Sequence, residues 1–408
     1  DTIFVARFVD TNALSAINIV CPVINMIVGL GTMLATGGNA IIARKMGEGK
    51  AQEARKDFTL FICAGFIIGC LICLFGTIFI NAIVNILGAT NMLFPYAKTY
   101  LSILFLFTPA SMLQVLFQNL IVTAGHPKLG LALAVGAGIA NIIFDYLFIG
   151  CLHFGIAGSA LGTGIGYLIP SVIGIAFFLK KDGTLYFEKP SHDLKMLLYS
   201  CLNGSSEMVS QLATAVTTFL FNAIMLKHLG ENGVAAITIV IYTQFLLTSL
   251  YIGFSMGVAP VISYKYGNKD YTGLTKVNAS CFCFVSVVSV TVFLLSMFCS
   301  ENLIAVFSPK GSDVYNITQN GFPIFSFSFL FSGINIFISA AFTALSNGTV
   351  SAVISFFRTF GLITVCLLFL PEILGITGVW LAVPIAEMLT LLLAGAFFLK
   401  YRKKFHYL

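Results

Sequence analysis

Eleven apolar runs, each long enough to cross a bilayer, are separated by short polar connections, and this alternation leaves few choices for the fold. The runs cover about 12–42, 58–83, 97–124, 129–151, 156–179, 196–225, 234–262, 278–304, 322–345, 350–370 and 377–399. A transmembrane helix needs ~20 such residues, and a helix satisfies its backbone polar groups within its own segment, as the interior of a bilayer demands. The connections carry turn formers, as at Gly125-His126-Pro127-Lys128 and Gly267-Asn268-Lys269-Asp270, and none holds an inserted soluble domain. The expected fold class is an all-α polytopic membrane protein with eleven spans. Composition agrees: 58% of the 408 residues are hydrophobic and 9% charged, against ~25% charged in soluble domains.

The net charge of +6 does not point to nucleic acid, because the basic residues are sorted by side. Counting alternate connections, 18 of the 22 Lys and Arg fall on one side, among them Arg44, Lys45, Lys128, Lys181 and the tail Lys400, Arg402, Lys403 and Lys404. Only Arg7, Lys98, Lys227 and Lys310 lie opposite. Short basic loops stay cytoplasmic, so the C-terminus is expected in the cytoplasm. The ten Cys lie almost all in apolar runs, without metal-ligand spacing, and read as small buried hydrophobes. The phosphate-binding Gly-rich loop, the nucleophile elbow and the zinc-protease motif are absent, and the five His sit at span ends or in connections. No enzymatic activity, metal centre or cofactor is expected.

An internal repeat organises the chain. An offset of 220 residues pairs Asn12, Ala16, Ile17, Ile19 and Val20 with Asn232, Ala236, Ile237, Ile239 and Val240. The same offset pairs Ile42, Lys45 and Gly47 with Ile262, Lys265 and Gly267, and Gly155, Ile156, Gly158, Leu161 and Ile165 with Gly375, Ile376, Gly378, Leu381 and Ile385. One offset fitting three separate blocks implies two homologous halves, parallel in the membrane, in a 6+6 arrangement. The expected division is an N-terminal lobe at 1–180, a connection at 181–193 and a C-terminal lobe at 194–408. The run beginning near residue 196 has no partner in the first half, so about 25 further residues are expected upstream, with 1–6 as the tail of a first helix.

Ionisable groups inside apolar runs cost ~2.5–3.5 kcal/mol each on insertion scales and mark function by default. Asp145 is the clearest. Gly130, Ala134, Gly138, Asn141 and Asp145 follow at helical spacing, a small and then polar stripe that sets the Asn141 amide beside the Asp145 carboxylate. The pair reads as a protonation site or an oxygen cage for Na⁺; the alternative is a structural carboxylate bonded to a neighbouring helix. Glu207, with Gln211 one turn on, is a second candidate, for proton or cationic substrate, against a capping or inter-helix hydrogen bond. Glu387 and Arg358 read as structural groups or as an inter-helix ion pair. Gly158, Gly162 and Gly166 make two overlapping GxxxG steps, a helix-packing signal.

In this order the motifs resemble the multidrug and toxic compound extrusion family, in its bacterial multidrug subgroup. The matching stretches are Asp1-Thr2-Ile3-Phe4-Val5, residues 38–49 from Gly38-Asn39-Ala40 to Gly47-Glu48-Gly49, Asn141 through Asp145, and Gly155-Ile156-Ala157-Gly158-Ser159-Ala160. The resemblance spans the whole chain. It implies a cation-coupling site at Asp1, Asn141, Asp145 and Thr163, of which Asp1 and Thr163 come from the resemblance alone, and it matches Glu207 to the acid of the subgroup's seventh helix. It further implies a monomeric antiporter in a bacterial cytoplasmic membrane, driven by H⁺ or Na⁺, exporting lipophilic or cationic organic compounds by alternating access. Two rivals stand beside it. A lipid-linked oligosaccharide flippase of the same superfamily would use more cavity Arg and Lys than Arg358 offers. A non-transporting membrane scaffold would have no reason to bury Asp145 and Glu207.

Overall fold

The computed structural model describes residues 4–5, 8–9, 11–181, 183–191 and 193–407, and the regular structure among them is helical throughout. The chain forms two compact units, Asp1–Gly204 and Ser205–Leu408. The first contains α1 (Thr11–Gly47), α2 (Ala51–Ile78), the short α3 (Ile80–Ile86), α4 (Phe94–Thr123), α5 (Pro127–Asp145) with a π turn (Tyr146–Cys151), α6 (Gly155–Leu179) and α7 (Leu194–Asn203). The second contains α8 (Ser205–Gly267), α9 (Tyr271–Phe298), α10 (Ser300–Phe307), α11 (Asp313–Ser326), α12 (Phe329–Ala344), α13 (Gly348–Phe356) with a π turn (Phe357–Gly361), α14 (Leu362–Leu374) and α15 (Ile376–Phe405).

Among the described residues, nine helices are long and apolar enough to cross a membrane, or ten if α11 and α12, bent by 52°, make one crossing. That bend follows Pro323 by one turn, where the ring removes a backbone donor. The 63 residues of α8 would stretch ~95 Å if straight, about three times the hydrocarbon core. Gly230 breaks the helix with φ 63° and ψ −154°. The run expected at 196–225 is interrupted as well, because Gly204 ends α7 before α8 begins. A methyl group at Gly204 would collide with the Met33 carbonyl, and one at Gly37 with the Ser200 carbonyl. Backbone contact thus fastens α7 to α1, and the compact units divide at Gly204/Ser205, beyond the 181–193 connection where the lobes are expected to part.

Helix ends repeat at the offset read from the sequence. Thr11–Gly47 corresponds to 231–267, the part of α8 after its break, and α2 and α9 coincide end for end. Gly155, which opens α6, and Gly375, which precedes α15, both take positive φ values, 58° and 59°, that glycine adopts without steric cost.

Each unit packs around its own aromatic core. In the first, one cluster gathers Phe58, Phe117 and Phe178 and another Tyr100, Phe105 and Ile149; in the second, Phe322, Phe337, Phe342 and Trp380 share one cluster. Large apolar side chains such as Ile86, Phe219, Phe298 and Leu392 stand exposed, the pattern of a surface solvated by lipid. Cysteine burial departs from expectation: Cys281 and Cys366 are buried, whereas Cys63, Cys70, Cys151 and Cys283 are exposed. In a chain whose outer surface is itself apolar, a position in an apolar run does not imply a position in the core.

Residues 183–191 lie strapped to the start of α2. Arg55 donates from Nε to the Thr184 carbonyl at 3.0 Å and from Nη1 to the Tyr186 hydroxyl at 2.7 Å, with its guanidinium 4.2 Å from the Tyr186 ring centre. Further along, Glu188 N donates to Thr59 Oγ1 and Ser191 Oγ donates to Asp57 Oδ1, while Asp57 Oδ2 takes Lys45 Nζ at 2.6 Å.

Candidate functional site

Asp145 ends α5 with 0% of its surface exposed, in a helix whose other buried residues are Gly130, Leu133 and Ala137. Asn141, half-buried, continues that face. The stripe expected through Ala134 and Gly138 is not the packed one: both are exposed, and a methyl group at Gly138 would meet nothing within 4 Å. The close approach comes from α6 instead. Methyl groups at Gly158, Gly162 and Gly166 would meet, in turn, Phe148, the Asp145 carboxylate, and Ala137 with Asn141. Four-residue spacing on both helices brings Asp145 against Gly162 and Asn141 against Gly166. Small residues admit this contact, as in other membrane helix pairs.

Thr163 follows Gly162, and its hydroxyl donates to the Ser159 carbonyl at 3.0 Å. Tyr100 of α4, 3% exposed, stands near the Thr163 side chain, and its phenol lies within electrostatic range of Asp145. Carboxylate and amide on α5, hydroxyl on α6 and phenol on α4 thus lie on three helices that pack against one another. Such a set suits a proton or a hard monovalent cation such as Na⁺. Asp145 also stands where α5 passes into a π turn, a distortion common at functional sites. Asp1, the remaining member expected, lies outside the described residues.

The second unit carries its own charged cluster. Arg358, in the π turn after α13, donates from Nε to Glu387 Oε1 at 3.1 Å. Glu387 is 2% exposed, and Asn335 Nδ2 donates to its Oε2 at 2.7 Å and to its backbone carbonyl at 2.8 Å. The pairing of Arg358 with Glu387 links α15 to the π turn. Glu207 and Gln211 occupy successive turns of α8, both half-buried, and Glu207 lies within electrostatic range of Arg358. Beside Glu207, Ser206 joins a seam of buried hydroxyls: Ser206 and Thr343 are 3.4 Å apart, Thr343 donates to Ser351 at 2.8 Å, and Ser339 bonds Ser351 and Ser355 at 2.9 Å.

Tyr100, Asn335 and the hydroxyl seam escape a reading of the sequence. Asn335 stands inside an apolar run and carries the same signal as Asn141, a polar amide in hydrocarbon. Tyr100 carries no signal among 14 tyrosines. Among the described residues no three His, Cys, Asp or Glu gather as metal ligands.

Fold and site together define a polytopic all-helical membrane protein, whose two repeated helical units each enclose a buried polar centre. The chain belongs to the MatE family, whose family model matches residues 1–147 and 208–370. It is 22% identical over 403 residues to the multidrug export protein MepA of Staphylococcus saprophyticus, covering 96% of this chain and 86% of that protein. It is 25% identical over 398 residues to MepA of Staphylococcus haemolyticus, with the same coverage. Among solved structures, an outward-facing multidrug resistance MATE family transporter of the MOP superfamily superposes with a TM-score of 0.92 at 20% identity, over 99% of this chain and 90% of that one. A mutant of the Vibrio cholerae MATE transporter VcmN gives 0.89 at 21% identity, over 99% and 91%. These structures share the fold of the chain.

Proposed function

We propose that this protein is a multidrug efflux antiporter that exports lipophilic or cationic organic compounds by alternating access, in exchange for H⁺ or Na⁺. It would act as a monomer in a bacterial cytoplasmic membrane, with its basic C-terminal tail in the cytoplasm and no covalent chemistry of its own. The observation that carries the reading is the burial of Asp145 at a helix contact, in a chain whose relatives bear the name multidrug export protein. A carboxylate so placed is costly as an anion and is relieved when a cation or proton visits it.

In this reading Asn141, one turn before Asp145, and Thr163, next to the Gly162 that touches it, supply neutral oxygens, with Tyr100 near Thr163 on the third helix. Binding of the coupling ion neutralises the carboxylate where α5 and α6 touch most closely. A change of charge at a tight contact biases a helix pair between two packings, which is how a local event becomes a change of access. The coupling ion is thus a substrate of the cycle.

Purified protein in proteoliposomes tests the reading. Ethidium movement is followed after a pH jump, and separately after a sodium jump, across the vesicle wall. Movement driven by one gradient and abolished by its collapse supports the antiporter and names the ion. Movement indifferent to both gradients, or absent from correctly folded protein, rejects it.

A further inference from the structure

The guanidinium of Arg358 is held along one edge only. Its Nε is engaged by Glu387, yet Nη1 and Nη2 make no hydrogen bond with the described residues, and the side chain is 15% exposed. Arginine carries five N–H donors in a planar fork that fits a carboxylate bidentately, so the unused edge is a recognition surface in want of an anion. Glu387 does not supply it, because its two oxygens are occupied, Oε1 by Arg358 and Oε2 by Asn335. Asn335, 0% exposed, leaves its Oδ1 buried with no partner among the described residues. Glu207 stands on the helix that packs against the π turn carrying Arg358, within electrostatic range of the guanidinium, and makes no hydrogen bond of its own among the described residues. With Glu207 and Glu387 ionised, the cluster keeps one net negative charge.

A plain anion would meet that negative charge, and a plain cation would meet the guanidinium. A compound bearing both charges satisfies each. We propose that Arg358 and Glu207 form a binding site for zwitterions: the Nη edge of Arg358 takes a carboxylate bidentately and Glu207 takes the positive group. Asn335 Oδ1 is the acceptor available to a further donor on the same ligand. Asn335 and Glu387 position the guanidinium, fixing its Nε edge so that the Nη edge stays free. The inference rests on the transport reading for how such compounds reach the site, and names a class of substrate for it.

Two dyes that differ by one methyl group make the test. Rhodamine 110 carries a free carboxylate and a positive charge, and rhodamine 123 is its methyl ester, with the positive charge alone. Binding of each to purified protein in nanodiscs is titrated by fluorescence polarisation, without any ion gradient. Arg358→Gln is expected to lower the acid-to-ester affinity ratio about tenfold or more, the worth of a bidentate charge-assisted pair. Arg358→Lys restores part of the ratio, having charge without the fork. Glu207→Gln weakens both dyes. Because Arg358→Gln strands a buried Glu387, the double variant Arg358→Gln/Glu387→Gln is titrated in parallel and is expected to show the same fall. An unchanged ratio in both variants, or a wild type that binds the ester and ignores the acid, overturns the proposal. Failure of transport for both dyes would instead count against the antiporter, leaving the binding ratio to stand or fall by itself.

Discussion

Gly162 faces Asp145 so closely that a methyl group added at 162 would fall on the carboxylate Oδ1. The neighbouring step of the same stripe is looser: a methyl at Gly166 would stand 3.5 Å from the Ala137 carbonyl and from Asn141 Cβ, ordinary contact. Overpacking a tight contact costs about 1–3 kcal/mol, and here the strain falls on the Asp145 carboxylate. Gly162→Ala is expected to abolish most ethidium efflux and to lower the melting temperature, while Gly166→Ala keeps both near wild type. Measuring the two variants side by side decides it; equal behaviour would show that the contact at Asp145 has no special role.

The pair Arg358–Glu387 offers a stability prediction. Breaking a buried ion pair from one side strands the other charge, at about 3–5 kcal/mol, whereas removing both partners often costs little. Glu387→Gln and Arg358→Gln should each lower the melting temperature more than the double variant does. A double variant as damaged as the sum of the two singles would show that the residues do not act as a pair.

The strap at 183–191 makes a local prediction. Arg55→Ala removes two hydrogen bonds and the stacking on Tyr186, contacts worth about 1.5–3 kcal/mol where a charged donor is involved. Opening of the connection should rise about tenfold or more, read as faster tryptic cleavage at Lys180 or Lys181. An unchanged cleavage rate would mean that the aromatic contacts of Phe187 with Phe58 and Phe178 hold the strap by themselves.

Asp270, in the connection before α9, gives a pH prediction. Its carboxylate accepts from Lys265 Nζ at 2.7 Å and from the Gly273 backbone N–H at 2.9 Å, which together hold it below its ordinary value of 3.8. A lowered value means that the group stabilises the fold fully above pH about 3.8 and that this contribution is lost as acid protonates the folded form. Asp270→Asn keeps the cap and removes the charge. Melting temperatures of wild type and variant should differ at pH 7 and converge on acidification below about pH 3.8. Parallel curves down to the lowest pH would refute the assignment.

Much of this architecture is legible in the sequence, because a bilayer turns apolar length directly into helices. The offset that pairs Asn12 with Asn232 also aligns the ends of α2 and α9, residue for residue. What periodicity alone misses is direction. A stripe of small residues at Gly130, Ala134 and Gly138 looks like a packing face, yet only Gly130 of the three is buried; the buried face goes on through Leu133 and Ala137, and the glycines that admit the close contact lie across from it on α6. Spacing says which residues share a face, not which neighbour covers it. The close approach at Gly204 is hidden for a similar reason: the Met33 carbonyl of α1, which leaves no room for a side chain there, is far away in the chain. Asn335 carries the signal of a polar amide in an apolar run, but its pairing with Glu387, 52 residues on, is not written in the spacing.

The central claim is that Asp145 couples ion entry to export, and one measurement tests it most directly. Cells lacking their own pumps express wild type or Asp145→Asn at equal levels, and loss of preloaded ethidium is followed before and after collapse of the proton and the sodium gradients. The account predicts that wild type clears the dye until one of the two gradients is removed, and that Asp145→Asn, though folded and inserted, clears it no faster than cells without the protein. Gradient-dependent clearance by Asp145→Asn at the wild-type rate would contradict it.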